Sequence, residues 1–195
     1  MSVMTTPANE QTLTLYLDRI DTRVGDILLV CHGDAVCALE FAEHEDHMNK
    51  LLRARFERFH YTQKIDPLGA SSRLQAYLGG ELDAMAAVNV TLDGTVFQHK
   101  VWSALRAIVF GGVITYRDLA TRVHAPNAVR AVAHAVALNP INIAVPCHRV
   151  VGACGTLRGY SGGLERKRWL LEHEGVDCRP RALRRRFSVW QSATQ

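Results

Sequence analysis

TYRDLATRVHAPNAVRAVAHAVALNPINIAVPCHRV, residues 115–150, decides how this chain is read. Its first part reads as two short helices. Thr115 can cap the first, Asp118 falls at its third position, and Leu119 and Val123 face inward. His124-Ala125 is a short connection. Pro126 suits the first position of a second helix, Asn127 to Ala137, in which Val129, Val132, Ala133 and Val136 are apolar. Leu138-Asn139-Pro140 ends it. Two helices joined so tightly match a helix-turn-helix, and they match an ordinary helical hairpin equally well. Arg130 and His134, four apart, share a face of the second helix, and the small Ala131, Ala133 and Ala135 let it approach a backbone closely.

The same stretch then carries chemistry. Ile141 to Val145 reads as a buried extended run that delivers Cys147 to the floor of a pocket. In Pro146-Cys147-His148-Arg149-Val150 an imidazole follows a thiol, and only the thiolate is nucleophilic. Neighbouring side chains on an extended chain point oppositely, so His148 is expected to act on Cys147 through a water or a local turn. A buried structural thiol is the plain alternative; the Pro, His and Arg around Cys147 favour a reactive one. Asn139 can hydrogen-bond turn backbone and fix the exit from the helix.

Towards the C-terminus, Ser161 can cap a helix from about Gly162 to Glu174, stopped by Gly175. Lys167 and Glu174, seven apart, lie near one face. A glutamate in a last turn opposes the helix dipole, which points to a specific partner. Glu174 therefore either orients His148, as the third member of a Cys–His–carboxylate relay, or is a solvated glutamate of the last turn. Arg179, Arg181, Arg184, Arg185 and Arg186, with Phe187 and Trp190, form a basic tail over 179–195 that either contacts phosphates or is solvated.

Towards the N-terminus, Thr95-x-x-Gln98 is a capping-box signature, and Phe97, Val101, Leu105 and Ile108 line one face of the helix that follows. A domain boundary is expected near residue 93, giving units 1–92 and 93–178. The first unit reads as small and α/β: strands at Leu13–Leu17, Ile27–Cys31, Val36–Phe41 and Val88–Leu92, and helices at Met48–Phe59 and Ser71–Leu78. His44 and His47 share a charged helical face, read as solvated rather than metal-binding.

The 195 residues are 48% apolar and carry a net charge of +4. That balance fits a nucleic-acid partner and a slightly basic enzyme equally. The five cysteines include no CxxC pair, which argues against a zinc finger, and no signal peptide or membrane-length apolar run is visible. Free thiols in a reducing, intracellular compartment are expected.

One set of residues goes further. Val101-Trp102, Thr115-Tyr116, Arg130-Ala131-Val132, Asn139-Pro140, Pro146-Cys147-His148-Arg149-Val150, Gly159-Tyr160-Ser161-Gly162-Gly163 and His173-Glu174-Gly175, in this order over about residues 95–175, resemble the O6-alkylguanine-DNA alkyltransferases. The resemblance implies an α+β fold: a ribonuclease-H-like α/β domain, then a mainly helical, winged-helix-like domain with a helix-turn-helix. It implies a double-stranded DNA partner bearing O6-alkylguanine, bound in the minor groove, with the damaged base flipped out of the stack. O4-alkylthymine is a second candidate substrate. Arg130 would fill the vacated space, on a DNA-reading helix that also carries Ala131, Ala133 and His134. Tyr116 would crowd the flipped nucleotide's phosphate and contact the guanine, and Asn139 would be the hinge. Cys147 would take the alkyl group irreversibly, so that each molecule acts once; His148, Glu174 and a water would favour its thiolate. Tyr160, Ser161 and Val150 would line the pocket, and Lys167 would order it. No cofactor and no metal are expected, and the protein would be a cytoplasmic, DNA-associated monomer, with cooperative coating of DNA left open. The chain departs from the family at Val109, where proline is frequent, at Gly112-Val113-Ile114, at Ala133 and in its long tail. Non-repairing lesion sensors and DNA-binding regulators are the competing classes; the former lack the reactive cysteine that Cys147 supplies.

Overall fold

The computed structural model describes residues 12–179 and Leu183. Three strands open the chain: β1 (Leu13–Ile20), β2 (Ile27–His32) and β3 (Ala35–Phe41). β2 and β3 form a hairpin across Gly33-Asp34, where Gly33 takes φ +59°. Helix α1 (Glu45–Phe56) follows, and a fourth strand, β4 (Phe59–Gln63), lies parallel to β1 at the edge, giving the order β3-β2-β1-β4. The expected helix to Phe59 therefore stops short, and β4 was not foreseen. Glu57 at φ +52° breaks the helix, yet the Phe56/Phe59 spacing imitates the next helical turn. Val88–Leu92 is not a strand either. Val90 and Ile141 each make one bridge to the outer edge of β3, at Val36 and Leu39, so the two segments share an edge that one full strand would need.

Helix α2 (Ala70–Gly79) completes the first half. Residues 91–95 lack regular structure, and α3 (Val96–Arg106) then starts on a complete capping box. The Thr95 hydroxyl accepts from the Gln98 N–H at 3.2 Å, and the Gln98 side chain accepts from the Thr95 N–H at 2.7 Å. β5 (Ile114–Thr115), α4 (Tyr116–Arg122), α5 (Val129–Ala137), β6 (Val150–Val151) and α6 (Leu164–His173) follow. β5 and β6 pair in parallel. α5 begins at Val129 rather than Asn127, because His124 at φ +59° and a Pro126-Asn127 turn absorb the connection. α6 begins at Leu164 without a side-chain cap, so Ser161 does not cap it.

One face of the main sheet, with Leu15, Leu17, Leu28 and Val30, packs on Met48 and Leu52 of α1. The other face, with Leu29, Leu39 and Phe41, shares one core with α2, α3, α4 and α5, so buried side chains run unbroken through both halves of this α+β fold. Trp102 is fully buried in that core, and its indole N–H donates to the Ala135 carbonyl at 2.9 Å, tying α3 to α5. Backbone hydrogen bonds from Leu39 N–H to the Pro140 carbonyl and from Asn142 N–H to the Leu39 carbonyl hold the 139–151 segment against β3.

Candidate active site

Residues 141–145 are buried as expected but turned rather than extended. The Asn142 N–H donates to the Leu39 carbonyl and the Val145 N–H to that of Ile141, and the reversal puts Ile143 at φ +68°. For a β-branched residue this left-handed conformation is costly, on the order of 1–2 kcal/mol. Cys147–Arg149 follows as one 3-10 turn.

Asn139 organises the turn. Its Oδ1 accepts from the Ile141 N–H at 3.1 Å, and its Nδ2 donates to the Val145 carbonyl at 2.8 Å and to Cys147 Sγ at 3.2 Å. An N–H aimed at sulfur favours the thiolate. Burial works the other way and pushes the Cys147 thiol up to about 11; the Asn139 bond and the Lys167 charge oppose that rise, and Glu40 adds to it.

His148 is fully buried, and burial lowers its basicity although Glu174 opposes the shift. Its Nε2 lies 3.0 Å from Glu174 Oε1. A carboxylate only accepts, so Nε2 carries the proton and Nδ1 is left as the acceptor of the neutral ring. Nδ1 is buried without a protein partner.

Glu174 caps the C-terminal end of α6, where the dipole disfavours it. Its donors account for the placement. Arg149 grips both oxygens, Nε to Oε2 at 2.9 Å and Nη2 to Oε1 at 2.7 Å. The Tyr77 hydroxyl donates to Oε1 at 2.7 Å and the Gly111 N–H to Oε2 at 3.3 Å. Burial alone would raise this carboxyl, but the His148 and Arg149 hydrogen bonds and charges outweigh it and hold Glu174 well below the usual carboxylate range. Arg149 lay in the quoted pentapeptide without an assigned role. Tyr77 carried no signal at all, being 97 residues from its partner.

The remaining residues fall into two groups. Lys167 is buried, which lowers it to about 8, and its ammonium donates to the carbonyls of Val150 (2.5 Å), Arg158 (2.6 Å) and Gly159 (3.1 Å). It thereby fastens the 158–163 loop to β6. On that loop, the Tyr160 ring is 6.3 Å from the His148 ring, its buried hydroxyl unpartnered, and Ser161 Oγ donates to Asn142 Oδ1 at 3.2 Å. Tyr116 opens α4, with its hydroxyl close enough to Gly159 that a Cβ there would lie at 3.0 Å. Val150 is fully buried in β6. Arg130, Ala131 and His134 form an exposed face of α5 with Ala133 half-buried beside them, apart from the Cys147–Glu174 hydrogen bonds. Of the basic tail, only Arg179 is described here, paired with Asp177; Arg181, Arg184–Arg186, Phe187 and Trp190 lie outside the described residues. Among the described residues no group of three His, Cys, Asp or Glu side chains is placed to hold a metal ion.

Comparison with known proteins gives the same direction throughout. Residues 96–176 match the family model "6-O-methylguanine DNA methyltransferase, DNA binding domain". The methylated-DNA–protein-cysteine methyltransferase of Salmonella typhimurium is 42% identical over 166 residues, covering 84% of this chain and 97% of that protein. That of Haemophilus influenzae is 36% identical over 83% and 87%. A crystal structure of the Mycobacterium tuberculosis relative in complex with DNA superposes with a TM-score of 0.69 at 36% identity, over 88% of this chain and 99% of that one. The O6-methylguanine-DNA methyltransferase of Pyrococcus kodakaraensis superposes at 0.66 with 30% identity, over 83% and 99%. With that identity sustained over nearly the full length of its relatives, and a buried Cys-His turn at the centre of the matching half, the chain belongs to the methylated-DNA–protein-cysteine methyltransferase family.

Proposed function

We propose that Cys147 is the acceptor in a single-use repair of O6-alkylguanine in duplex DNA. The observation that carries this reading is the buried set Asn139–Cys147–His148–Glu174, in which every hydrogen-bonding direction is fixed except at His148 Nδ1. The Cys147 proton passes through one bridging water to Nδ1, and Glu174 stabilises the imidazolium that results. The sulfur then attacks the alkyl carbon. The S–C bond forms as the C–O6 bond breaks, its electron pair leaves with the guanine, and the guanine takes up a proton. The thioether has no easy reversal, so the protein is consumed. No separate methyl donor enters this scheme.

The rest of the site has matching roles. Tyr116, Tyr160, Ser161 and the backbone of Val150 surround the flipped base, with Lys167 holding their loop in place. The exposed face of α5 meets the DNA, with Arg130 filling the gap in the stack and Ala131, Ala133 and His134 against the backbone. In this reading the four-stranded half is ribonuclease-H-like, and the α4–α5 hairpin with its β5–β6 pair is a winged helix-turn-helix. In this reading the protein acts on DNA in the cytoplasm. Among the described residues no helix is long and apolar enough to cross a membrane.

Intact mass after mixing with an oligonucleotide carrying one O6-methylguanine tests the proposal. One methyl equivalent on Cys147, stopping at one per protein and absent from Cys147→Ala, is the expected result. Tight binding without a mass gain would make the protein a lesion sensor, and repaired DNA without a mass gain would mean turnover; either outcome ends the proposal.

A further inference from the structure

The Cys147 sulfur lies between two asparagine amides that present opposite ends to it. Asn139 offers its N–H at 3.2 Å, while Asn142 offers its carbonyl oxygen, which the thiol S–H reaches at 3.4 Å. The orientation of Asn142 is set from the other half of the molecule. Asn142 Nδ2 donates to Glu40 Oε1 at 2.7 Å, and the Phe41 N–H donates to the same oxygen at 2.9 Å. Two donors converge on Oε1, so this oxygen accepts whether or not the carboxyl carries its proton. The Asn142 group facing it must be the NH2, which leaves Oδ1 facing Cys147 and Ser161. Glu40, Asn142 and Cys147 are all buried.

We infer that Glu40 is a positioning residue for the transfer reaction: by fixing the Asn142 amide it keeps an acceptor on the Cys147 proton and holds the resting protein in its thiol form. An S–H···O=C bond stabilises the thiol, and the same oxygen repels a thiolate. Asn139 pulls in the opposite direction, so the two amides set the thiol's acidity between them. The inference rests on Cys147 being the acceptor. The other titratable groups around the sulfur are Lys167 from α6, Tyr116 from α4, Tyr160 from the loop, and the adjoining His148; Glu40 itself faces His44 and Glu43 from the turn after β3.

The test is the pH midpoint of Cys147 alkylation by iodoacetamide without DNA, mapped by peptide mass so that the other cysteines do not interfere. Glu40→Leu removes the oxygen that holds the Asn142 NH2 and frees the amide to turn, and Asn142→Ala removes the acceptor. Both are expected to lower the midpoint by about one unit, whereas Asn139→Ala raises it. A purely structural role would lower the melting temperature of Glu40→Leu and leave the midpoint in place, and that result overturns the inference. So does an upward shift in Asn142→Ala, which decides the matter alone if Glu40→Leu does not fold. Because the midpoint is read without DNA, a failure here is distinct from a failure of the methyl-transfer experiment above.

Discussion

At the scale of single residues, the site depends on buried groups whose partners cannot be exchanged. Glu174→Gln leaves Arg149 and His148 without their anion and is expected to cost about 3–5 kcal/mol at neutral pH. The pH dependence of stability should change with it. In the unfolded chain this carboxyl takes up its proton near about pH 4.3, and in the folded one well below that. Acidification therefore protonates the unfolded state first, and the stability that Glu174 supplies above about pH 5 is lost progressively as the pH falls below about 4.3 toward its depressed folded-state value. Urea melts between about pH 3 and 7 should show a shallower decline in Glu174→Gln than in the parent. How much of the site the sequence revealed follows from distance along the chain. Cys147 and His148 were legible because they are adjacent, Asn139 because a turn needs it, and Glu174 because it sits badly at a helix end. Tyr77, Glu40 and Asn142 were not legible, since each acquires its role only when segments 97 to 102 residues apart meet.

Among the elements, α5 presents two distinct faces. Val132, Ala135 and Val136 are buried against α3 and α4, while Arg130, Ala131 and His134 look outward. Arg130→Ala is accordingly expected to leave the melting temperature within a degree or two. It should slow methyl transfer from duplex more than from single-stranded DNA, because only the duplex has a stack to keep open. Equal slowing on both substrates would place Arg130 elsewhere in the mechanism. On the inner side, Trp102→Phe strips the Ala135 carbonyl of its donor and leaves space behind the smaller ring; about 2–3 kcal/mol of stability should be lost, measurable by denaturant midpoint. Most elements were legible from periodicity. β4 was missed because Phe56 and Phe59 repeat at a helical interval, and the strand at 88–92 was over-read because its apolar alternation is real while the edge it needs is shared with Ile141.

For the whole molecule, the first half is a working wall of the site rather than an appendage. Phe41 packs so closely on Gly162 that a Cβ there would lie 2.2 Å from its ring, and it stands 6.2 Å from Tyr160, edge on. Arg166 of α6 lies over Phe41 at 4.3 Å, donates to the Val24 carbonyl at 2.5 Å and pairs with Glu43. Tyr77 reaches Glu174 from α2. Tyr77→Phe should cost about 1.5–3 kcal/mol, the worth of a buried hydrogen bond to a charged group. Gly162→Ala should impair methyl transfer by displacing Phe41 and the Tyr160 loop, with the rate recovered in part when Phe41→Leu makes room. No recovery in the double variant would mean that the two residues do not press on one another. Burial of the thiol itself, 4% exposed and flanked by two amides, has a consequence for the cell's economy. A reagent that works once is a stockpile, and its capacity is the number of unreacted copies rather than a turnover rate. A sulfur kept protonated and out of solvent is slow to react with peroxides and stray electrophiles, so the reserve ages slowly until a damaged base is brought to it.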